Sequence, residues 1–295
     1  SITASAKRHP ARISYRMGLT RDGRILASKL KAVCDGGAYG MSTEGVMRKM
    51  AILGAGPYAV PNLQVDTYGI YTNNTPSGAF RTFGAMQSQF TTESMLDLAA
   101  EKLGLDPFEL RLRNSMQAGD TTHTRQPLNS VSFPRVLAAA RDGAGWHSGP
   151  PTVRGPQRSD LHGDGNRDHC SLGARLHRQG RPSDDHRSNQ AMKRGRGMAG
   201  SWYGIARTAA MDRAGAWVEL DDGGTAKVLT GVTEIGEGIL TVLAQVAAEE
   251  LGIRPQDVTL GDNDTARSPE AAHAGATRQT YMIANAVALA CRDAR

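Results

Sequence analysis

The sequence predicts an α+β protein of two lobes, each a mixed β-sheet flanked by helices. Three observations predict it. Two segments alternate apolar and polar residues on either side of an Asp/Gly turn, the pattern of a hairpin. Farther along each lobe, apolar residues recur three and four positions apart, the pattern of a helix. Between the lobes, residues 147 to 191 lose the composition of folded protein.

The elements follow in order. Arg12 to Val33 forms the first hairpin: Ile13 and Tyr15 alternate with polar residues, Asp22-Gly23 turns the chain, and Ile25 opens the return strand. Gln89 to Leu103 spaces Phe90, Met95, Leu96, Ala99 and Leu103 on one broad helical face, with Gly104 as the stop. Asp106-Pro107-Phe108-Glu109 starts another helix, with Asp106 as N-cap and Pro107 at the first helical position. Glu109 stands where a capping-box carboxylate bonds back to the cap. Ala216–Leu220 and Ala226–Leu229 flank Asp221 to Gly224 as a second hairpin. Ile239, Val242, Leu243 and Val246 mark a helix running to Gly252, and Tyr281 to Ala294 is alanine-rich and helical in pattern. The domains are therefore 1–146 and 192–295, bridged by the insert 147–191.

The insert contains no Phe, Tyr, Trp, Ile or Met up to residue 190 and holds five of the eight histidines. It lacks the apolar surface that would offset the entropy of ordering, so disorder is the physical default. His162, His169, Cys170, His177 and His186 match no zinc-ligand spacing. A shifted reading frame in the gene is the favoured explanation, and resequencing decides it.

With 295 residues and a formal charge of +6, the chain suits an anionic cofactor as well as nucleic acid. A nucleic-acid arm is disfavoured, because the insert interleaves acids with its bases and has no aromatic for stacking. Cys34, Cys170 and Cys291 form no C-x-x-C, which points to a reducing, cytoplasmic setting. No apolar run is long enough to span a membrane.

Three glycine-bearing loops carry the candidate chemistry. The first, Gly78-Ala79-Phe80-Arg81-Thr82-Phe83-Gly84, puts one guanidinium and two aromatics between glycines, so that it can satisfy an oxyanion and orient a planar ring. The second, Thr233-Glu234-Ile235-Gly236-Glu237-Gly238, enters a helix and can offer amide groups to an anion. The third, Ala274-Gly275-Ala276-Thr277-Arg278-Gln279-Thr280, permits close backbone approach. Asp262, Asp264 and Glu249-Glu250 form a conceivable carboxylate pair, but charges of this kind more often cap turns or face solvent.

These loops resemble the G-A-F-R-G-F-G-x-x-Q, E-x-G-Q-G-x-x-T and G-(A/S)-S-R-x-T runs of the molybdenum hydroxylases, the family of xanthine dehydrogenase and aldehyde oxidase. Gly56-Pro57-Tyr58-Ala59-Val60-Pro61-Asn62 is similar to the family's G-P-Y-x-I-P-N segment. The resemblance covers 1–146 and 192–295 and implies the family's molybdopterin-binding domains. It implies molybdenum-molybdopterin as cofactor, in the cytosine dinucleotide form, with [2Fe-2S] and FAD on two partner subunits. It also implies hydroxylation of an aldehyde or N-heteroaromatic, xanthine-like substrate with water-derived oxygen.

By position, the resemblance gives Phe80, Arg81, Gly236, Glu237, Gly238, Gly275, Ala276, Thr277, Arg278 and Gln279 to the cofactor, and Phe83 and Lys49 to the substrate. Glu237 stands where xanthine dehydrogenase has Gln, so it is either protonated or faces a different group. Lys49 stands where xanthine hydroxylases carry an arginine, and a point-like ammonium does not replace a planar fork. Thr82 occupies the place of the copper-binding cysteine of carbon monoxide dehydrogenase, which disfavours that activity. The family's general-base glutamate falls after residue 295, so no catalytic residue is assigned and no turnover is expected of this chain alone. The alternatives are an inactive remnant, a reductase of aromatic CoA thioesters and a nicotinate-type hydroxylase.

Overall fold

Alternating burial along two strands, and apolar spacing along the helices that cover them, build each half of the protein. The computed structural model describes residues 4–146, 197–205, 212–261 and 263–295. The expectations for 147–191, and for Asp262, lie outside the described residues. The chain divides into two units, Ser1–Trp202 and Tyr203–Arg295.

In the first unit, β1 (Ala11–Leu19) and β2 (Ile25–Gly37) pair antiparallel, from Ala11 opposite Cys34 to Leu19 opposite Ile25. The turn between them is the Asp22-Gly23 turn: Gly23 has φ 87°, and its N–H donates to Thr20 O at 3.0 Å. α1 (Thr43–Ile52) then crosses over to β3 (Asn62–Tyr71), which pairs parallel to β2. Every second residue of β2 points inward, so Leu30, Ala32 and Cys34 are buried against Val46, Met47 and Met50 of α1.

α2 (Ala85–Leu103) begins four residues before the predicted Gln89 and ends, as predicted, at a left-handed Gly104. Its buried face is the predicted one only in part: Leu96 is buried and Ala99 packs beside it, but Phe90 is not there. Phe90 is 62% exposed, whereas Ser88, Gln89, Thr92 and Glu93 are buried beside Leu96 and Ala100. All four polar residues find partners: Ser88 at Ala85 O, Gln89 at Trp202 O, Thr92 at Gly54 O and Glu93 at Tyr58 and Arg111.

α3 (Pro107–Asn114) starts as predicted, with the Asp106 carboxylate accepting from the N–H of Phe108 at 2.8 Å and of Glu109 at 3.2 Å. Glu109 thus contributes its backbone N–H to the cap. The other Asp106 oxygen accepts from Trp146 Nε1 at 3.1 Å. Asp106→Ala is expected to cost about 1 kcal/mol, read as a lower urea midpoint. α4 (Phe133–Gly143) follows.

The second unit repeats this order. β4 (Trp217–Leu220) and β5 (Ala226–Leu229) form the predicted hairpin, and α5 (Ile239–Leu251) leads back to β6 (Val258–Leu260), parallel to β5. A π-helical turn, Gln279–Ile283, runs into α6 (Ala284–Ala294). The core joins Val228, Val232, Ile239, Leu243, Val258, Ile283, Val287 and Cys291. Each unit is thus a mixed three-stranded sheet covered by helices, the predicted α+β class. Among the described residues, no helix is long and apolar enough to cross a membrane.

Candidate functional site

Each candidate loop ends at the first turn of a helix, and each enters it through left-handed backbone. In the first unit, Thr82 (φ 76°), Phe83 (φ 45°) and Gly84 (φ 101°) precede α2. Gly84 is obligatory there, because an added Cβ would lie 2.4 Å from Val46 O. Left-handed Thr and Phe are costly and persist only where surroundings impose them. The turn is closed by Phe83 N–H to Phe80 O at 2.8 Å and Ala85 N–H to Thr82 O at 2.9 Å.

This geometry separates the loop's side chains. Phe80 is 52% exposed. Arg81 is exposed, and its guanidinium has no hydrogen-bond or ion-pair partner among the described residues. Phe83 is half-buried against the β2–α1 core, with its ring edge beside Gly45. Lys49 lies buried on α1, the helix that Phe83 packs against. Burial, and then the Arg48 charge, pulls the Lys49 ammonium below the ordinary lysine range.

Sequence reasoning missed Arg8. Its guanidinium donates to Arg81 O at 2.8 Å and Thr82 Oγ1 at 3.2 Å, and stands 4.6 Å from the centre of the Phe80 ring. The only sequence signal was a basic residue in the run Lys7-Arg8-His9-Pro10 before β1.

In the second unit the other two loops meet. The Gln279 side chain bridges them: its Nε2 donates to Thr233 O at 3.0 Å and to Glu237 Oε1 at 2.8 Å, and its Oε1 accepts from Thr233 N–H at 3.1 Å. Glu237 Oε2 accepts from Ile235 N–H at 2.9 Å. Both Glu237 oxygens are therefore acceptors, the role of an ionised carboxylate, and they face Gln279 and the loop backbone.

The glycine amides expected to meet an external anion already have one. Glu234 accepts from Gly236 N–H at 2.7 Å, Gly238 N–H at 3.0 Å and Leu240 N–H at 3.4 Å. Those bonds, led by the one from Gly238, hold the Glu234 carboxyl below its usual range. What Gly236 and Gly238 still offer is room, since an added Cβ on either would meet nothing within 4 Å.

Gly275 (φ 156°), Ala276 (φ 51°) and Thr277 (φ 61°) form the third loop's left-handed run. Gly275 and Thr277 are exposed, whereas Arg278 is fully buried. The Arg278 guanidinium turns inward, to Asp212 at 2.5 Å and to the carbonyls of Ala271 and Arg213. Exposed small residues over an anchored base fit close approach by a large planar cofactor. In the first unit, the exposed Arg81 guanidinium is of the kind that pairs with an anion.

Two matches to the molybdopterin cofactor-binding domain cover residues 1–115 and 172–295. The second begins inside the stretch 147–191. A probable xanthine dehydrogenase subunit of Bacillus subtilis is 29% identical over 97% of this chain and 34% of its own length. The nicotinate dehydrogenase large molybdopterin subunit of Eubacterium barkeri is 40% identical over 49% of this chain and 34% of its own length. The crystal structure of aldehyde oxidoreductase from Desulfovibrio desulfuricans superposes with a TM-score of 0.72 at 27% identity, over 98% of this chain and 28% of that one. Two cofactor-binding domains thus account for most of the chain. It belongs to the molybdenum hydroxylase family of xanthine dehydrogenase and aldehyde oxidase. It spans about a third of the length of the curated relatives it matches.

Proposed function

We propose that this chain is the molybdopterin-binding portion of an oxidoreductase that hydroxylates an aldehyde or an N-heteroaromatic, xanthine-like ring with water-derived oxygen. The observation that carries this is the pair of cofactor-domain matches, each containing candidate loops with left-handed backbone at a helix entry. The identity to a nicotinate dehydrogenase subunit favours the N-heteroaromatic branch.

The cofactor, molybdenum-molybdopterin in its cytosine dinucleotide form, supplies the oxygen-transfer and two-electron chemistry when bound. Arg81 satisfies its anionic oxygens by charge-assisted hydrogen bonds. Phe80, exposed beside Arg81 in the same loop, adds apolar contact. Gly236, Gly238, Gly275, Ala276 and Thr277 admit it by their small size. Gln279 fixes Glu237, and Arg278 supports the third loop from beneath. Phe83 presents a ring edge or face to a flat substrate, and Lys49 offers a positive charge at short range. Electrons pass to a [2Fe-2S] subunit and an FAD subunit. Buried free thiols at Cys34 and Cys291 suit a reducing cytoplasm.

The test is the molybdenum and pterin content of the complete subunit, expressed with its neighbouring genes. Arg81→Ala is expected to weaken cofactor retention about tenfold, the worth of one charge-assisted bond. Because Arg81 is exposed, folding stability should stay within about 0.5 kcal/mol. Full molybdenum occupancy and activity in that variant would remove Arg81 from the site.

A further inference from the structure

We propose that Arg8 is a positioning residue that holds the Phe80–Gly84 turn in its working shape. This rests on the loop being part of the cofactor site, as proposed above. Arg8 belongs to a strap tied down on four sides. Gly78 N–H donates to Lys7 O at 2.9 Å, and His9 Nε2 lies 2.9 Å from Thr43 Oγ1. Gln87 Nε2 donates to His9 O at 3.3 Å, and Asp35 N–H to Pro10 O at 2.9 Å. A strap fixed to β2, α1, α2 and the loop itself gives the Arg8 side chain a rigid base.

From that base one guanidinium makes three contacts with three successive loop residues. It covers one face of the Phe80 ring and donates hydrogen bonds to the Arg81 carbonyl and the Thr82 hydroxyl oxygen. These are the residues leading into the left-handed pair Thr82 and Phe83. Such backbone needs external restraint, and Arg8 supplies it with a planar fork that no ammonium reproduces. Fixing the Arg81 carbonyl also fixes where the Arg81 side chain leaves the backbone, so Arg8 orients a cofactor contact it does not itself make.

The experiment compares wild type, Arg8→Ala and Arg8→Lys in the complete, cofactor-loaded enzyme. Hydrogen exchange is read by mass spectrometry over residues 77–86, with 25–37 as the internal control. In Arg8→Ala, exchange over 77–86 should rise about tenfold, the control should not move, molybdenum content should fall less than in Arg81→Ala, and kcat/KM per bound molybdenum should fall about tenfold. Added methylguanidine should restore part of the lost rate, and Arg8→Lys should resemble Arg8→Ala. Unchanged exchange over 77–86 overturns the proposal, and so does full activity in Arg8→Lys, since charge alone would then suffice. If wild type carries no molybdenum, the functional reading fails, and the exchange result still decides whether Arg8 holds the loop.

Discussion

Arg111→Ala should destabilise the first unit by about 3–5 kcal/mol, the usual cost of removing one partner from a buried ion pair. Arg111 is completely buried, and its donors fan out across three residues, Glu93, Asp97 and Pro107. Nε meets Glu93 Oε2 at 2.7 Å, Nη2 meets Asp97 Oδ1 at 2.8 Å and Glu93 O at 3.1 Å, and Nη1 meets Pro107 O at 3.1 Å. Glu93 is itself buried, and its other oxygen accepts from Tyr58 OH at 2.6 Å. Burial, and then the Glu93 charge, pushes the Tyr58 phenol up, so it stays a donor. Truncating Arg111 leaves the Glu93 carboxylate buried with one neutral donor. Urea unfolding should show the first unit melting early while the second is unmoved. Replacing Arg111 by Met together with Glu93 by Leu should recover much of the loss, because no charge then remains buried at the pair. A loss under about 1 kcal/mol in Arg111→Ala would mean that water reaches the site and that the pair contributes no more than a surface one. The network grips α2, whose first residue follows the Phe80–Gly84 turn.

What was legible in the sequence was local. Asp22-Gly23, Asp106-Pro107, Gly104 and Gly252 act within a turn of themselves, and all four sit at the predicted boundaries. The polar part of α2's buried face was not legible, because the burial of Glu93 depends on Arg111, 18 residues away, and Tyr58, 35 residues away. α1 escaped because Thr43-Glu44-Gly45 opens it without a helix-forming pattern, although Val46, Met47 and Met50 carry its contacts. The candidate loops were legible as glycine-bearing motifs. Their supports were not: Arg8 lies 73 residues from the carbonyl it holds, and no spacing rule joins the two. Glu234 was read as part of a glycine loop, yet its own carboxylate takes the amides that the glycines were expected to leave open.

Arg278 provides the sharper test, because its sequence position assigns it to the cofactor and its side chain is spent on the fold. Arg278→Ala should cost the second unit about 3–5 kcal/mol, since it removes one member of a buried ion pair whose other member, Asp212, has a side chain only 8% exposed. The measurement is urea unfolding of the cofactor-free protein. A residue that only bound the cofactor would leave that midpoint unchanged, whereas a frame residue lowers it before any cofactor is present. Arg278→Lys keeps the charge but loses the fork that reaches Asp212 and the Ala271 and Arg213 carbonyls together, so it should rescue only part of the loss. Arg81 predicts the opposite pattern: an unchanged cofactor-free midpoint and reduced molybdenum. Two arginines given the same role by motif are thus separated by which observable moves, and the physical cause is burial. A guanidinium enclosed with a carboxylate is part of the frame, and one left exposed with no partner among the described residues is available to a ligand.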